Sequence, residues 1–405
     1  MNRRRALAMM MALPLAARVG GQTRPTGKHR VIPGVTHGLL LEPGGTLRVW
    51  SCNPASGDTE PAPDALGLGH NEPVDSYTLY PVPGLTGVVA AAVSSASYAV
   101  LADGQILAWG AGGAGVLGTT PLSELEERAQ PRMRSNTPSP VAVKFDAVDV
   151  SAQEHVLARA RDGSVYAWGR GDFGQLGIGP LPVINFRTRS PSALNYMPFP
   201  VRVPNLADVV AISAGARHSL ALLKDGTVQA WGENKWGQIG DGTTVNRDTP
   251  TPVPGVRDAV AIAAGSYFSV AVLSDGTAIE WGSAYENLKA RPVPAPLTGA
   301  GGLRSVAAGL GHVVAITQSG GVMTWGANTN YDTGRGRNAT TAPALVSGLR
   351  DVQTIAANTR TSTAVLASGR IMTWGGVRPW TRPDVGGAGL SPFPILLWLD
   401  GLDQT

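Results

Sequence analysis

The sequence is poor in cysteine and in charge: Cys52 is its one cysteine, and 15% of its 405 residues are charged. A single thiol cannot form an intramolecular disulfide, so packing alone must stabilise the fold. The apolar run at residues 6–17 is too short to cross a bilayer, which leaves no transmembrane segment. H-E-x-x-H, paired-cysteine, G-x-S-x-G and phosphate-loop patterns are also absent. We therefore expect no catalytic residue, no metal site, no cofactor and no enzymatic activity.

The N-terminal segment has the pattern of a secretory signal peptide, which we assign to residues 1–21. Three arginines, Arg3 to Arg5, precede the apolar run, and small residues after it offer cleavage behind Ala17 or Gly21. Ordinary export and twin-arginine export both fit this segment. The pattern predicts an exported protein, either periplasmic or extracellular.

The basic character of the chain belongs to that leader. Residues 1–21 contain four arginines and no acid, so the remaining chain has 29 basic and 29 acidic residues. Proteins that bind nucleic acid need an excess of Lys and Arg to replace counterions on the phosphates. Nucleic acid is therefore not expected as a partner of the mature protein.

Glycine and proline are abundant, with 52 and 31 residues, and 43% of the chain is hydrophobic. This composition is typical of a turn-rich domain with a packed core. Seven tryptophans recur along it at intervals of 44 to 63 residues. They are Trp50, Trp109, Trp168, Trp231, Trp281, Trp325 and Trp374. A glycine stands five residues before each of them, and an Asp precedes this glycine in four copies.

Repeats of this length favour one four-stranded sheet per repeat. Around Trp231 the predicted strands are 208–213, 219–223, 227–231 and a Pro-led strand at 252–253, with a Lys-Asp-Gly hairpin turn between the second and third. The fold class is therefore all-β: residues 22–405 form a seven-bladed β-propeller with about four antiparallel strands per blade. The last strand either completes its own blade or joins the N-terminal strands. Each marker Trp is expected in the core between adjacent sheets.

Four of the six histidines occupy one repeat position, seven residues before the Asp or its equivalent. They are His37, His155, His218 and His312, and other copies have Ala96, Phe268 or Thr361 there. A catalytic or metal-binding histidine would not be interchangeable with phenylalanine. We predict that these histidines are hydrogen-bonded turn or core residues.

The fourth repeat, Gly215 to Gly240, resembles the repeat of the regulator of chromosome condensation family. Its run Gly-x-x-His-Ser-Leu-Ala-Leu, Asp-Gly, Trp-Gly, Gly-Gln-Ile-Gly carries the resemblance, and 174–177 and 115–118 carry parts of it. The resemblance implies a seven-bladed propeller. The namesake of the family is a nuclear exchange factor for a small GTPase that also contacts chromatin, and secreted relatives inhibit an enzyme by binding it. We expect an exported, bacterial-type member.

The loops differ most between the repeats. The distance from the marker Trp to the Pro of the fourth strand is 31, 31 and 32 residues in repeats 1 to 3 and 11 residues in repeat 5. If successive strands reverse direction, these loops emerge on the same face as the Gly-x-x-His turns. Loops on a rigid scaffold are common sites of recognition. The rim of blades 1–3 is therefore the predicted binding region.

We choose the candidate contacts by residue type, because Arg and aromatic residues dominate the binding energy of many protein interfaces. They are Arg128, Arg132, Arg134, Phe173, Phe186, Arg187, Arg189, Tyr196 and Trp236. Trp236 lies outside the marker series and is predicted to be an exposed anchor. Alternatively, the loop aromatics pack onto the propeller as a small additional core.

The sequence thus predicts an exported, monomeric propeller that binds a protein partner or acts as a scaffold through these rim loops. One alternative is a propeller enzyme acting on a polysaccharide or another envelope substrate at the channel mouth. A guanine-nucleotide exchange activity is a further alternative, by analogy with the family alone. Clustered carboxylates or a metal at the channel would favour the enzyme.

Overall fold

The computed structural model describes residues 29–34, 37–51, 66–70, 78–121, 123–124, 133–181, 183–184, 192–193, 195–283, 289–339, 341–376 and 391–396. The predicted signal peptide lies outside these ranges. Seven four-stranded antiparallel sheets, the blades, contain almost all of the regular structure described. A short 3-10 helix, Gly113–Gly115, follows the third strand of blade 2.

The first three blades contain the longest connections. Blade 1 consists of β1 (Arg30–Pro33), β2 (His37–Leu41), β3 (Leu47–Ser51) and β4 (Tyr80–Pro81). Blade 2 consists of β5 (Val88–Val93), β6 (Ala96–Leu101), β7 (Ile106–Ala111) and β8 (Arg134–Pro140). Blade 3 consists of β9 (Ala147–Ala152), β10 (His155–Ala160), β11 (Val165–Arg170) and β14 (Tyr196–Arg202), with the small hairpin β12 (Val183–Ile184) and β13 (Ser192–Ala193) before its last strand.

The last four blades are more compact. Blade 4 consists of β15 (Val209–Ala214), β16 (His218–Leu223), β17 (Val228–Gly232) and β18 (Arg247–Pro252). Blade 5 consists of β19 (Ala259–Ala264), β20 (Phe268–Leu273), β21 (Ala278–Gly282) and β22 (Ala295–Pro296). Blade 6 consists of β23 (Leu303–Ala308), β24 (His312–Thr317), β25 (Val322–Gly326) and β26 (Ala344–Leu345). Blade 7 consists of β27 (Val352–Ala357), β28 (Thr361–Leu366), β29 (Ile371–Gly375) and β30 (Ser391–Leu396).

The predicted fold is confirmed as a seven-bladed β-propeller, and each blade is a continuous segment of chain. β30 pairs with β29, so the last strand completes its own blade and does not join blade 1. The ring closes instead where blade 7 packs against blade 1, and the Asn358 side-chain amide donates to the Gly34 carbonyl there at 2.8 Å. Closure at this point therefore depends on side-chain packing and not on a shared sheet.

The hairpin turns between the second and third strands explain the recurring glycine. All seven of these glycines adopt φ between +81° and +89°, a region that favours glycine because it lacks a Cβ. At Gly226 the preceding Asp225 carboxylate accepts the Thr227 backbone N–H at 3.0 Å. The glycine is thus required by the backbone, whereas the Asp only caps the turn and is replaceable.

The marker tryptophans lie between adjacent blades, as predicted. All seven are at most 3% exposed. Trp231 of blade 4, for example, packs among Leu157, Val165 and Met197 of blade 3. Burial of a large ring stabilises a fold by several kcal/mol, about 3–5 when truncation to Ala is measured. The tryptophans of blades 2 to 7 therefore each attach their blade to the preceding one.

Hydrogen bonds reinforce the contact between consecutive blades, which we call a seam and number by its two blades. At seam 3/4, His155 Nε2 lies 2.7 Å from Ser219 Oγ, and this hydroxyl donates to the Gln175 carbonyl at 2.8 Å. Trp231 Nε1 donates to the same carbonyl at 2.9 Å. Since the hydroxyl has one hydrogen, the His155 Nε2–H must be the donor to Ser219. The seam therefore fixes a proton on Nε2 of this histidine.

The same His–Ser contact recurs at three more seams, at distances of 2.7 to 2.9 Å. The pairs are His37 with Ser97, His218 with Ser269, and His312 with Ser362. We call the four residues His37, His155, His218 and His312 the seam histidines. Burial lowers the pKa of each to about 3 or 4, so they are neutral at physiological pH. This confirms their predicted structural role.

Seam 5/6 has different chemistry at the same place. Phe268 replaces the histidine and packs with Val313, which replaces the serine. Trp325 Nε1 donates to the Glu280 carboxylate at 2.9 Å and not to a loop carbonyl. The Arg291 guanidinium donates to the other carboxylate oxygen. A matched apolar pair and a buried carboxylate therefore take the place of the polar network.

Candidate functional site

Two loops on one face of the ring carry two of the aromatic residues selected from the sequence, Phe173 and Trp236. Because the strands of each blade are antiparallel, the loop after the third strand lies on the same face as the turn between the first two. We call this the upper face, and the face of the Asp-Gly turns the lower face. The loops after β11 and β17 place Phe173 and Trp236 on the upper face.

Buried glutamines hold these two loops in shape. Gln175 Oε1 accepts the Phe173 backbone N–H at 2.8 Å, and Gln238 Oε1 accepts the Trp236 backbone N–H at 2.9 Å. Both glutamine side chains are inaccessible to solvent. Asn234 adds bonds from its amide to the Thr243 and Val245 carbonyls. The recurring Gly-Gln-Leu/Ile-Gly segment thus presents an aromatic residue from a rigid loop.

Each aromatic contacts a residue of the following blade. The Arg217 guanidinium lies 4.7 Å from the Phe173 ring centroid, and the Tyr267 ring meets the Trp236 ring edge-on at 6.4 Å between centroids. Lys235 Nζ lies 5.1 Å from the Trp236 centroid. We call Phe173, Arg217, Trp236 and Tyr267 the aromatic belt. The same arrangement occurs at seams 3/4 and 4/5. At each, a loop aromatic of one blade contacts the residue that directly precedes the histidine position of the next blade.

Ion pairs surround the Phe173 end of the belt. Arg170 pairs with Glu154 at 3.0 Å and with Asp172 at 2.8 Å. Arg217 lies 3.7 Å from Glu154 and 3.8 Å from Glu233. Burial raises the pKa of Glu233, against the influence of Arg217. Exposed pairs of this kind contribute little stability, about 0–1 kcal/mol each, so their main effect is to orient the guanidinium groups.

The structure brings Phe173 and Trp236 together in one belt and separates the other described candidates from it. Trp236 is half-buried and not fully exposed, because Tyr267 covers its edge. Tyr196 packs over Gly115 of blade 2, where an added Cβ would lie 3.1 Å from its ring, and burial raises its pKa. Arg134 is exposed at the start of β8.

The remaining candidates lie outside the described residues. They are Arg128, Arg132, Phe186, Arg187 and Arg189. Sequence reasoning missed Arg217 and Tyr267, which complete the belt. Both can be recognised in the sequence, because each stands directly before the histidine position of Gly-x-x-His or its equivalent.

A central cavity of about 400 Å³ opens on the upper face beside the belt. Its wall contains one small apolar residue from the end of each blade's first strand: Pro33, Val93, Ala152, Ala214, Ala264, Ala308 and Ala357. Ser94, Gln153, Glu154 and Asn358 provide polar groups at its mouth. A cavity of this volume is within the range of small-molecule sites, about 300–1,000 Å³.

One buried carboxylate lines this cavity. Asp149 is 7% exposed, and burial raises its pKa to about 6 although Arg159 and Arg30 favour its charged form. The Val150 backbone N–H donates to its Oδ1 at 3.0 Å. Arg30 is equally buried, which lowers its pKa to about 10, and Nη1 donates to the Val89 carbonyl at 3.3 Å.

Within the described ranges, no three His, Cys, Asp or Glu side chains are grouped so that they could bind a metal ion. Two carboxylates, Asp149 and Glu154, line the cavity, and Glu154 is paired with arginines. No helix among the same residues is long and apolar enough to span a membrane. The described residues therefore show no catalytic site.

Models of the regulator of chromosome condensation (RCC1) repeat match residues 162–222 and 225–272, and a second RCC1 repeat model matches 147–175, 209–238 and 303–331. These matches fall in blades 3 to 6. The chain is 29% identical over 220 residues to the ultraviolet-B receptor UVR8 of Arabidopsis thaliana, covering 54% of this chain and 44% of that protein. It is 31% identical over 236 residues to the secretion-regulating guanine nucleotide exchange factor of Mus musculus, covering 55% and 47%.

Among solved structures, the chain resembles yeast RCC1 (Prp20) in its crystal structure with bound Kap60. The TM-score is 0.67 with 18% identity, over 98% of this chain and 90% of that one. At this identity the likeness supports the fold alone. The chain spans less than half the length of the curated relatives described above.

Proposed function

We propose that this RCC1-repeat propeller is a protein-binding module that recognises its partner with the upper face, through the aromatic belt and the long loops of blades 1–3 beside it. The observation that carries the proposal is the repeated pairing of a loop aromatic with a residue of the next blade. Phe173 with Arg217 and Trp236 with Tyr267 form two such pairs on neighbouring seams.

The composition of the belt fits protein recognition. Tyr, Trp and Arg are the residues that most often dominate binding energy at protein interfaces. Gln175 and Gln238 fix the loops before binding, which reduces the entropy lost on association. The surrounding ion pairs combine two arginines with three carboxylates, so neither sign of charge dominates strongly, and we infer a partner recognised by shape and aromatic contacts and not by strong charge attraction.

The test compares two faces of the same molecule. The belt variant Phe173→Ala/Trp236→Ala removes both loop aromatics. The matched control is Phe145→Ala/Tyr166→Ala, which removes two half-buried, stacked rings, 3.9 Å apart, from the lower face. Immobilised wild-type and variant proteins are exposed to an envelope extract, and bound proteins are quantified. We expect at least tenfold less of the wild-type partner on the belt variant.

Circular dichroism and melting curves must first show that both variants keep the fold. Equal recovery of the partner on the belt variant would contradict the proposal. Equal loss on the lower-face control would also contradict it, because binding would then depend on general stability.

We also propose that the protein acts after export, in the periplasm or outside the cell. The support is the basic start and apolar run of residues 1–21, together with the neutral balance of charge after them. Cell fractionation of the tagged full chain tests this, with removal of residues 1–21 as the control. Recovery of full-length, uncleaved protein in the cytoplasm would contradict it.

A guanine-nucleotide exchange activity is the second candidate, favoured by the 31% identity to a secretion-regulating exchange factor. It requires a GTPase as the bound partner, so it is a special case of recognition by the upper face. Release of a fluorescent nucleotide from the captured partner would identify it.

A further inference from the structure

Two carboxylates hold Arg217 at seam 3/4. This arginine stands directly before the histidine position of blade 4 and lies 3.7 Å from Glu154 and 3.8 Å from Glu233. Glu154 is the residue directly before the histidine of blade 3, and Glu233 follows the marker tryptophan of blade 4 by two residues. The charge of this guanidinium is therefore matched within the protein.

Seam 6/7 keeps the arginine without these acids. Arg360 stands directly before the histidine position of blade 7, and the two equivalent acid positions are glycines, Gly311 in blade 6 and Gly376 in blade 7. Arg360 is exposed, and hydrogen bonds from the described residues reach only its backbone, whose N–H donates to Asn358 Oδ1 at 3.2 Å. The guanidinium donors of Arg360 are therefore open to a ligand.

The neighbouring loop of blade 6 contains a strained aromatic residue. Tyr331 has φ of +63°, at a position where blades 3 and 4 have Gly174 and Gly237. Among the described residues with positive φ, it is the only aromatic one. A bulky side chain in this region of φ costs free energy, and such strain is concentrated at functional sites. We therefore expect the Tyr331 side chain to have a role of its own.

The Tyr331 ring orients a second guanidinium. Arg337 is exposed, and its guanidinium lies 5.5 Å from the ring centroid, within the range of cation–π attraction. Asn328 fixes the loop, since its side chain accepts from the Thr333 N–H at 3.1 Å and donates to the Gly336 carbonyl at 2.9 Å. No carboxylate among the described residues pairs with Arg337, so its donors are open as well.

Positive charge exceeds negative charge on this part of the upper face. Asp332 follows Tyr331 and attracts Arg360, but the two do not form an ion pair, and the buried Asp332 Oδ1 has no hydrogen-bond partner. Arg335, half-buried in the same loop, adds a third positive charge. The described upper-face residues of blades 6 and 7 thus contain three arginines and one carboxylate, a net charge of +2 when the carboxylate is ionised.

We propose that Tyr331, Arg337 and Arg360, which we call the arginine site, bind the phosphate group of a phosphate monoester. Such a group carries a charge of about −1.5 to −2 at pH 7 and three acceptor oxygens. Guanidinium groups donate to phosphate oxygens through two N–H groups at once, which gives strong and directional bonds. A carboxylate has one charge and two oxygens, so it would match the site less well.

Isothermal titration calorimetry of the full chain, at constant ionic strength, tests this binding. Glycerol 1-phosphate, lactate and glycerol are three-carbon probes with a phosphate, a carboxylate and no charge. We expect saturable binding of glycerol 1-phosphate, at least tenfold weaker binding of lactate and no saturable binding of glycerol. Equal binding of lactate, or no saturable binding of glycerol 1-phosphate, would overturn the proposal.

The variant Arg337→Gln/Arg360→Gln removes both open guanidiniums. Its matched control, Arg350→Gln/Arg370→Gln, removes two exposed arginines from the lower face of blade 7 with the same change in net charge. We expect at least tenfold weaker binding of glycerol 1-phosphate by the first variant and unchanged binding by the control. Arg360→Gln alone replaces the first variant if melting curves show that it does not fold. Unchanged affinity in the folded arginine-site variant, or an equal loss in the control, would overturn the proposal.

Tyr331→Gly gives blade 6 the residue that blades 3 and 4 have at this position. We expect weaker binding, by at least threefold, without a lower melting temperature, because glycine adopts positive φ without strain. Affinity equal to that of the wild type would contradict the role of Tyr331 in the arginine site.

Two sources could supply the phosphate, a soluble ester or the head group of a lipid. Sedimentation with vesicles of phosphatidic acid, against vesicles of phosphatidylcholine, distinguishes them. Retention of the wild type but not of the arginine-site variant on phosphatidic acid would identify a lipid, and binding of glycerol 1-phosphate alone would identify a soluble ester. These measurements contain no protein partner and change no residue of the aromatic belt. Their failure would therefore leave the function proposed for the upper face untouched.

Discussion

Seams 4/5 and 5/6 join blades of the same geometry with different chemistry. At seam 4/5, His218 donates to Ser269, and the Gln238 carbonyl accepts from Ser269 and Trp281. At seam 5/6, Phe268 packs on Val313, and Glu280 accepts from Trp325. The comparison teaches that residues recurring in most repeats, even histidine beside serine, can be exchanged as a matched set. Residues that recur in the repeats of this molecule therefore have structural roles, and its function is to be sought where one repeat differs from the others.

Low pH should have the largest effect on stability, because it acts on the seams that contain a histidine and not on the Phe268–Val313 pair of seam 5/6. The pKa of each seam histidine lies near 3 or 4 in the fold, below the ordinary value of 6.5. Their contribution to stability is therefore present above pH 6.5 and is lost as the pH falls toward 4, by about 1.4 kcal/mol per pH unit for each histidine.

Two buried carboxyls act in the opposite direction. The pKa values of Asp149 and Asp332 are raised to about 6 by burial, so both favour the fold as the pH falls below 6. Four histidines outweigh two carboxyls, and we expect a net loss of several kcal/mol between pH 7 and pH 4.5. Denaturant unfolding across this range measures it. Equal or greater stability at pH 4.5 would contradict the neutral histidine network.

Removing the carboxylate of seam 5/6 should be the next largest effect. Glu280→Ala leaves the buried Trp325 Nε1 without its acceptor and Arg291 without its carboxylate partner. We expect a loss of about 3 kcal/mol in the free energy of unfolding, because an unsatisfied buried donor costs about 1–3 kcal/mol and the charged pair adds to it. Blade 4 has Ala230 at the equivalent position. At its seam with blade 5, Trp281 Nε1 donates instead to the Gln238 loop carbonyl.

Glu280→Gln is the matched control for this loss. Its amide oxygen can still accept from Trp325, so most of the stability should return. Equal losses for the two variants, measured by chemical denaturation, would show that the charge on Glu280 matters and the hydrogen bond does not.

Conversion of seam 4/5 to the apolar form should cost less. His218→Phe alone leaves Ser269 without its donor, and we expect a loss of about 1–2 kcal/mol at pH 7. His218→Phe/Ser269→Val recreates the pair found at seam 5/6 and should recover part of it. A double-mutant cycle should give a coupling energy of about 0.5–3 kcal/mol. The double variant should also lose less stability in acid than the wild type. Strict additivity of the two changes would mean that the pair is not a unit.

The Asp-Gly turns should show the smallest effect. Asp225 Oδ1 accepts from the Thr227 backbone N–H and hydroxyl, while blades 6 and 7 have Ser319 and Ser368 in this place. Asp225→Ser should therefore lower the melting temperature only slightly. Gly226→Ala should lower it clearly more, since the glycine has φ of +81°. A larger decrease in melting temperature for Asp225→Ser than for Gly226→Ala would contradict the conclusion that the turn requires the glycine.

The sequence predicted the fold well where the repeat is regular. The first three strands around Trp231 begin and end within one residue of the predicted bounds, because buried strands carry a dense hydrophobic signal. The fourth was predicted at 252–253 and spans Arg247–Pro252. It lies at the edge of the sheet with mostly polar residues, so no hydrophobic alternation marked its start. The role of Glu280 could not be predicted, since its partner Trp325 is 45 residues away.

The candidate site was predicted only in part. Phe173 and Trp236 were selected by residue type and by their place in loops, whereas their partners Arg217 and Tyr267 come from the next blade. A contact across a seam depends on how blades pack, which one repeat read by itself does not contain. The buried charges of Asp149 and Arg30 were missed for a similar reason, because they come from different blades and act on each other only in the folded ring.

Site-specific photo-crosslinking tests the central claim, that the upper face is the binding surface, most directly. A benzophenone side chain is placed at exposed Lys235, beside the belt, or at exposed Lys224 on the lower face. Light is applied during incubation with the partner, and adducts are quantified by mass spectrometry. We expect a partner adduct from position 235 and none from position 224. Adducts from position 224 alone, or equal yields from both positions, would contradict it.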